Sequence, residues 1–280
     1  MTSASRIIHQ VGKYLSLIVL TALLLIMLAP FFIVTLNAFK TPDEYANKGP
    51  ISMPQGLYWG GIEQFWKRVD FTTKLLNSAL ISISVAILGV GLSLFNAFAL
   101  GIGKVKGRIL LLIFFVVANT LPHEALAYPL YYFARLVKLY DTQLAVILIF
   151  SVIQSAYGTY LLSSAFSTFN KELLEAAMID GCSKIRLLLN IVVPISMPTL
   201  SVLFVFFFIW TWNEFFLPLV MLISNSKQTV PLAIAVLQGQ HLMDATQSAA
   251  SALLGILPCI IFFILFQRTL TRGITAGSIK

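Results

Sequence analysis

Acids and histidines are scarce in this 280-residue chain, eleven and three in all, so where they fall decides which chemistry is open to it. "PHEAL" (Pro122–Leu126) begins like the H-E-x-x-H of a zinc protease but lacks the second His. His123 and Glu124 are also adjacent, so on a helix they do not face one another. His241 and Asp244 stand three apart with no third ligand nearby, and read as solvated loop residues. Cys182 and Cys259 offer neither a disulfide framework nor a metal cluster. "VGKY" and "IGKV" lack both the first Gly and the hydroxyl residue of a phosphate loop. With no Ser–His pair or paired Asp on helices either, these patterns argue against an enzyme. What remains is a set of polar residues inside apolar runs. Asn213 and Glu214 follow Trp212, and a carboxylate at membrane depth costs a few kcal/mol, so it must face protein or water. The pair reads either as pore or gate contacts, or as an interhelical polar lock or an interface anchor beside Trp212. Asn119 and Glu124, in "NTLPHEALAYP", belong either to a broken helix that lines a cavity or to a kinked structural one. The aromatic run "FVFFFIWTW" invites sugar stacking, with helix packing and lipid contact as the other reading.

The elements that carry these residues are apolar helices. The chain is 58% hydrophobic and only 11% charged, with mean hydropathy +0.89. Soluble domains run at about 25% charged residues, and 280 residues could not enclose so much apolar surface. Runs of about 18 or more apolar residues recur, each long enough to span a bilayer. The pattern predicts an all-α polytopic membrane protein with six spans, forming one transmembrane domain over residues 1–280. The spans fall near Tyr14–Phe39, Leu75–Ile102, Ile109–Tyr132, Gln143–Ser164, Thr199–Leu222 and Ala249–Gln267, the third interrupted by Pro122 and Pro129. The first run is too long for a secretory leader and reads as a retained span. With both termini inside, the inner segments hold eleven bases against three acids, and the entire net charge of +8 lies on that side. This positive-inside asymmetry explains the basic composition without a nucleic-acid partner. The long outer loop, Lys40–Lys74, reads as a cap or docking surface, or as a loop ordered at the membrane interface by Trp59 and Trp66.

One segment breaks the apolar pattern, "EAAMIDGCSKIRLLLNIVVP" (Glu175–Pro194). Asn170 is placed to cap a short helix with acids in its first turns, Gly181 to end it, and "SKIRLLLNIVV" to form a second helix that runs to Pro194. Ala176 and Ala177 leave a shallow surface that another protein could approach. The alternative is an amphipathic elbow lying on the bilayer.

The spacing of Glu175, Ala176, Ala177, Gly181, Ile191, Val193 and Pro194 resembles the EAA motif of bacterial ABC-importer permeases, with Val193 where Leu is usual. "IDG", "YPLYYFARLVKLYDT", "WNEFFLPL" and the ending "RGITAGSIK" resemble the sugar-importer branch, and within it the shorter, six-span permease subunit of maltose-type transporters. The resemblance covers essentially the whole length. It implies a multi-pass subunit of a bacterial inner membrane that carries a carbohydrate inward. Its partners would be a second permease subunit, two ATPase subunits and an external solute-binding protein. ATP and Mg would be bound by the ATPase subunits, this chain holding no cofactor. The resemblance further implies that Glu175, Ala176, Ala177, Asp180, Gly181, Ile191 and Pro194 couple to the ATPase, and that the tail, Gly277 to Lys280, reaches the same interface. Polyamine or glycerol phosphate permeases share the architecture, but the first would want several acids in one cavity and the second a mid-span Arg or Lys.

Overall fold

A computed structural model describes residues 3–103, 105–239 and 244–276. His241, Gly277 and Lys280 lie outside the described residues. The chain is helical, with no strand among the described residues: α1 (Ser3–Ala38), α2 (Pro42–Lys48), α3 (Gly60–Val69), α4 (Phe71–Gly101), α5 (Arg108–Thr120), α6 (Ala127–Leu136), α7 (Gln143–Ser167), α8 (Lys171–Ile179), α9 (Lys184–Leu187), α10 (Val193–Asn213), α11 (Phe216–Met221), α12 (Val230–Gly239) and α13 (Ala245–Ala276). Five stretches are long and apolar enough to cross a bilayer: Gly12–Ala38, α4, α7, Lys184–Asn213 and Ala245–Gln267. The pair Arg108–Thr120 and His123–Leu136, bent by 92°, is long and apolar enough for a sixth when its two helices are taken together. Its break follows from Pro122, which pushes Leu121 out of the helical region (φ −70°, ψ 127°) and so ends α5.

The fifth span differs from the expected Thr199–Leu222. It starts fifteen residues earlier, at Lys184, because Pro194 does not end the helix. A π-turn over Leu188–Val192 widens the hydrogen-bond ladder just before it. Pro194, which has no N–H to give to the ladder, then sits in the first turn of α10, directly after the π-turn that makes room for it. The span also stops earlier, at Asn213. Glu214 takes an extended backbone (φ −72°, ψ 129°), and its Oε1 accepts from the N–H groups of Phe216 and Leu217 at 3.1 and 3.4 Å. A side chain that satisfies backbone donors in this way competes with helix continuation.

The chain divides into two compact units, Asp70–Ala235 with Leu257–Lys280, and Met1–Val69 with Val236–Ile256. In the larger unit, α4 and α7 meet along small residues. Gly89, Ser93 and Ala97 line one face of α4 and Ser151, Ser155 and Gly158 one face of α7, all buried. In lipid there is no hydrophobic drive to join two apolar helices, so close backbone approach and packing must do it. Gly158 permits that approach, since a Cβ there would stand 2.2 Å from Ser93 Oγ. Ser93 Oγ instead donates to the Gly89 carbonyl at 2.6 Å. The aromatic run on α10 is packing for the most part. Phe207 is buried over Gly89, and Phe208 stacks on Phe262 of α13 at 3.7 Å between ring centres. Trp210 is the partly open member, its ring parallel to that of Phe206.

Asp141, between α6 and α7, ties down the segment after α11. Its backbone is left-handed (φ 55°). Its carboxylate accepts from the N–H groups of Ile223 and Ser224, each at 3.0 Å, from the Ser224 hydroxyl, and from Lys227 Nζ at 3.0 Å. The Ser224 hydroxyl foremost, then its N–H and the Lys227 ammonium, hold this carboxyl well down, at about 2, against partial burial.

In the smaller unit, the long loop is ordered by a lysine. Lys40 is fully buried, and its Nζ donates to Asn37 Oδ1 and to the carbonyls of Gly49 and Pro50 at 2.9, 3.0 and 3.3 Å. Trp59 packs edge-on against Phe39 with ring centres 4.9 Å apart. Ala38, Ala249 and Ala250 form a small core with Val34, Ile62 and Leu253.

Candidate functional site

Two places in the larger unit gather the residues that sequence singles out. The first is the hairpin of α8 and α9. Asn170 Oδ1 accepts from the Glu172 N–H at 2.8 Å and starts α8. Gly181 ends it with φ +77°. The Gly181 N–H donates to the Met178 carbonyl and the Cys182 N–H to that of Ala177, at 3.1 and 3.0 Å. This paired return is the Schellman arrangement, and it needs a residue that tolerates a left-handed backbone. Ser183 then caps α9, accepting from the Arg186 N–H at 3.4 Å. Every turn of the hairpin is therefore made by a local hydrogen bond.

The hairpin presents Glu175, Ala176 and Asp180 to the outside. Ala177, expected beside them on the shallow surface, is only 9% exposed. It shares a stripe with buried Leu174, three residues before it, and that stripe anchors α8 to the rest of the chain. The uncovered surface continues instead through Ile179 and Ile185, which are 85% and 71% exposed. Ile191 is half-buried in the π-turn and Pro194 is exposed where α10 begins. Glu175 and Arg108 also line one groove of about 360 Å³ between α8 and the ends of α4 and α7.

The second place is a recess of about 300 Å³ at the other end of the fifth span, lined by His123, Phe150, Gln154, Trp210, Asn213 and Glu214. Asn213 is the last residue of α10, and its Nδ2 donates to the Ile209 carbonyl at 2.8 Å and reaches Cys259 Sγ at 3.8 Å. Glu214 follows as the cap of α11. Gln154 comes from mid-α7, 6% exposed, its Nε2 donating to Thr211 Oγ1 at 2.9 Å. His123 comes from the bend between α5 and α6. Of the residues expected to line a pore, Asn213 and Glu214 meet here, whereas Asn119 and Glu124 are exposed and not part of the recess. Gln154 and His123 complete it. Gln154 carried a signal, a lone amide in the apolar run "VILIFSVIQSA". His123 had none, because only the bend brings it in. No group of three metal-ligating side chains occurs among the described residues.

Comparison with known proteins agrees with this architecture. Residues 89–276 match the binding-protein-dependent transport system inner membrane component. The chain is 30% identical over 273 residues to a probable starch degradation products transport system permease protein, AmyC, of Thermoanaerobacterium thermosulfurigenes, covering 97% of this chain and 98% of that one. It is 32% identical over 213 residues to the trehalose/maltose transport system permease protein MalG of Thermococcus litoralis, covering 76% and 77%. Its fold matches, at a TM-score of 0.76, 18% identity and coverage of 96% and 98%, a bacterial ABC transporter involved in the import of the acidic polysaccharide alginate. Five apolar spans with a bent apolar pair, a capped polar hairpin and a family match over two thirds of the chain converge on one assignment: the protein belongs to the binding-protein-dependent transport system inner membrane components, as a multi-pass permease.

Proposed function

We propose that this permease carries a carbohydrate inward as one of two permease subunits, with two ATPase subunits below and a solute-binding protein outside. Relatives named for starch products and for trehalose and maltose support the cargo class. The eleven-to-three excess of bases over acids supports an orientation with both termini and the hairpin in the cytosol. In this reading the ATPase grips α8 and the Gly181 turn, through Glu175, Ala176 and Asp180, with Ala177 supporting that surface from beneath. Ile191 and Pro194 lie where the hairpin passes into the span. ATP and its Mg²⁺ sit in the ATPase subunits, and the tail through Gly277 and Lys280 contributes to the same interface.

The observation that carries this proposal is the uncovered tip of the hairpin. Ile179 and Ile185, almost wholly exposed beside Glu175 and Asp180, need a partner surface. A soluble motor can move the spans only by binding two conformations of the permease with different affinity. The hairpin is its handle, because α9, the π-turn and α10 run without interruption from Lys184 to Asn213. Co-purification tests this. Ile179→Asp and Ala176→Glu should each strip the ATPase from the complex and stop uptake, at unchanged permease yield and with the second permease subunit still bound. Full ATPase retention in both variants would return the hairpin to an elbow lying on the membrane.

A further inference from the structure

We infer that the recess at the end of α10 receives the hydroxyl groups of a neutral saccharide in transit, and that it turns away an acidic one. This rests on the carbohydrate reading above and adds where the solute touches this chain and what charge it carries.

Two acceptors and one end of a buried amide are left open in the recess. Gln154 is nine-tenths buried, yet its Oε1 has no partner among the described residues. Turning the amide over gives that oxygen to the Thr211 hydroxyl and leaves the NH₂ unpaired instead, so either orientation leaves one end of the amide wanting. Asn213 uses its Nδ2 on the Ile209 carbonyl and Cys259 Sγ, which leaves Oδ1 to accept. Glu214 spends Oε1 on two backbone N–H groups, and Oε2 has no partner among the described residues. Groups that mostly accept call for a ligand that mostly donates, and vicinal hydroxyls do so. Phe150 and half-exposed Trp210 supply an apolar wall for the C–H face of a sugar ring. About 300 Å³ is at the small end of ligand sites, room for a sugar unit or two rather than a long chain.

Charge narrows the class. No Lys or Arg lines the recess, and its one basic side chain is the His123 imidazole, so a uronate or sulfonate would meet the Glu214 carboxylate with no permanent cation beside it. A polyamine would find one carboxylate where it needs several. A neutral polyol fits both facts.

The whole importer in nanodiscs free of maltoside detergent provides the test. Maltose, trehalose and diacetylchitobiose serve as neutral probes and digalacturonate as the acidic one, with saturation transfer to the ring protons as the readout. The wild type should pass saturation to a neutral sugar and not to digalacturonate. Gln154→Leu should weaken the neutral signal about tenfold, the worth of one hydrogen bond. Glu214→Gln keeps an oxygen for the two N–H groups and should admit digalacturonate. Equal transfer to neutral and acidic probes in the wild type overturns the inference, as does an unchanged neutral signal in both variants. If Gln154→Leu prevents assembly, Glu214→Gln decides alone, and its continued refusal of digalacturonate overturns the inference. Uptake by the wild type, with its binding protein, keeps the two readings apart. An importer that carries a neutral sugar but gives the overturning results loses only the recess. One that carries no saccharide loses the carbohydrate reading and the recess with it.

Discussion

The hairpin and the recess occupy opposite ends of one helical run, and they are built in opposite ways. The hairpin is held by hydrogen bonds between residues two to five apart, and its tip is uncovered. The recess is assembled from segments far apart in sequence, the bend after α5, α7 and the end of α10, and it keeps a polar side chain buried. A lever works this way. In the function proposed above, the end that would meet a motor holds its own shape, and the end that would meet a solute is shaped by the bundle. Between them lie thirty residues, about 45 Å of helix at 1.5 Å per residue, with the π-turn near the hairpin end.

The contrast predicts that damage to bundle packing destroys the recess and spares the hairpin. Gly158→Val is the strongest such change. Its Cβ would press on Ser93 Oγ, and at 3.0 Å on the Phe207 ring, one turn from Gln154. Overpacking of this kind costs about 1–3 kcal/mol or more. The thermal midpoint and yield of the permease should fall sharply, and sugar contact with Gln154 should vanish. Whatever still folds should hold the ATPase in the usual ratio. Detachment of the ATPase at an unchanged midpoint would mean the two ends are not built independently.

The same contrast sets what the sequence could disclose. Asn170, Gly181 and Ser183 announce the hairpin because caps and turns are chosen by residue type within a few positions. The apolar runs likewise announce the spans, since length and hydropathy are local properties. Pro194 misled, because a proline looks like a stop unless the π-turn before it is known. Ala177 misled because the side of α8 that packs inward is set by the helices beneath it. Glu214 follows the end of α10, and its role as the cap of α11 depends on where that helix stops. The recess was half legible for the same reason: Asn213 and Glu214 are neighbours in sequence, while His123 reaches them only through the 92° bend.

Gly181 governs the shape of the hairpin end. Nothing lies within 4 Å of where its Cβ would stand, so a substitution there meets no clash. Its cost is the left-handed backbone alone, roughly 1 kcal/mol or more for a β-branched residue. Gly181→Val should therefore leave the thermal midpoint nearly unchanged, while ATPase retention and uptake collapse as the tip shifts. Gly181→Asn should do much less, since Asn tolerates that conformation. Equal retention in both variants would show that the shape of the turn is irrelevant to the motor.

The smallest effect expected lies away from both ends, at Asp141. Its carboxyl is held at about 2 in the fold, below an ordinary value of 3.8, so on acidification the unfolded chain takes up its proton first. The stabilisation is then fully present above about pH 4 and is lost as pH falls through about 2. Because the group is partly exposed and screened, it is worth about 1 kcal/mol at most. Asp141→Asn keeps an acceptor and tolerates the left-handed backbone, but gives up the charge facing Lys227. It should lower the thermal midpoint slightly at pH 7, and the difference from wild type should close as pH drops from 4 to 2. Uptake at pH 7 should be unaltered, because neither the hairpin nor the recess uses this residue. A midpoint difference that stays constant down to pH 2 would mean that the hydrogen bonds to Ile223 and Ser224, and not the charge, hold the corner together.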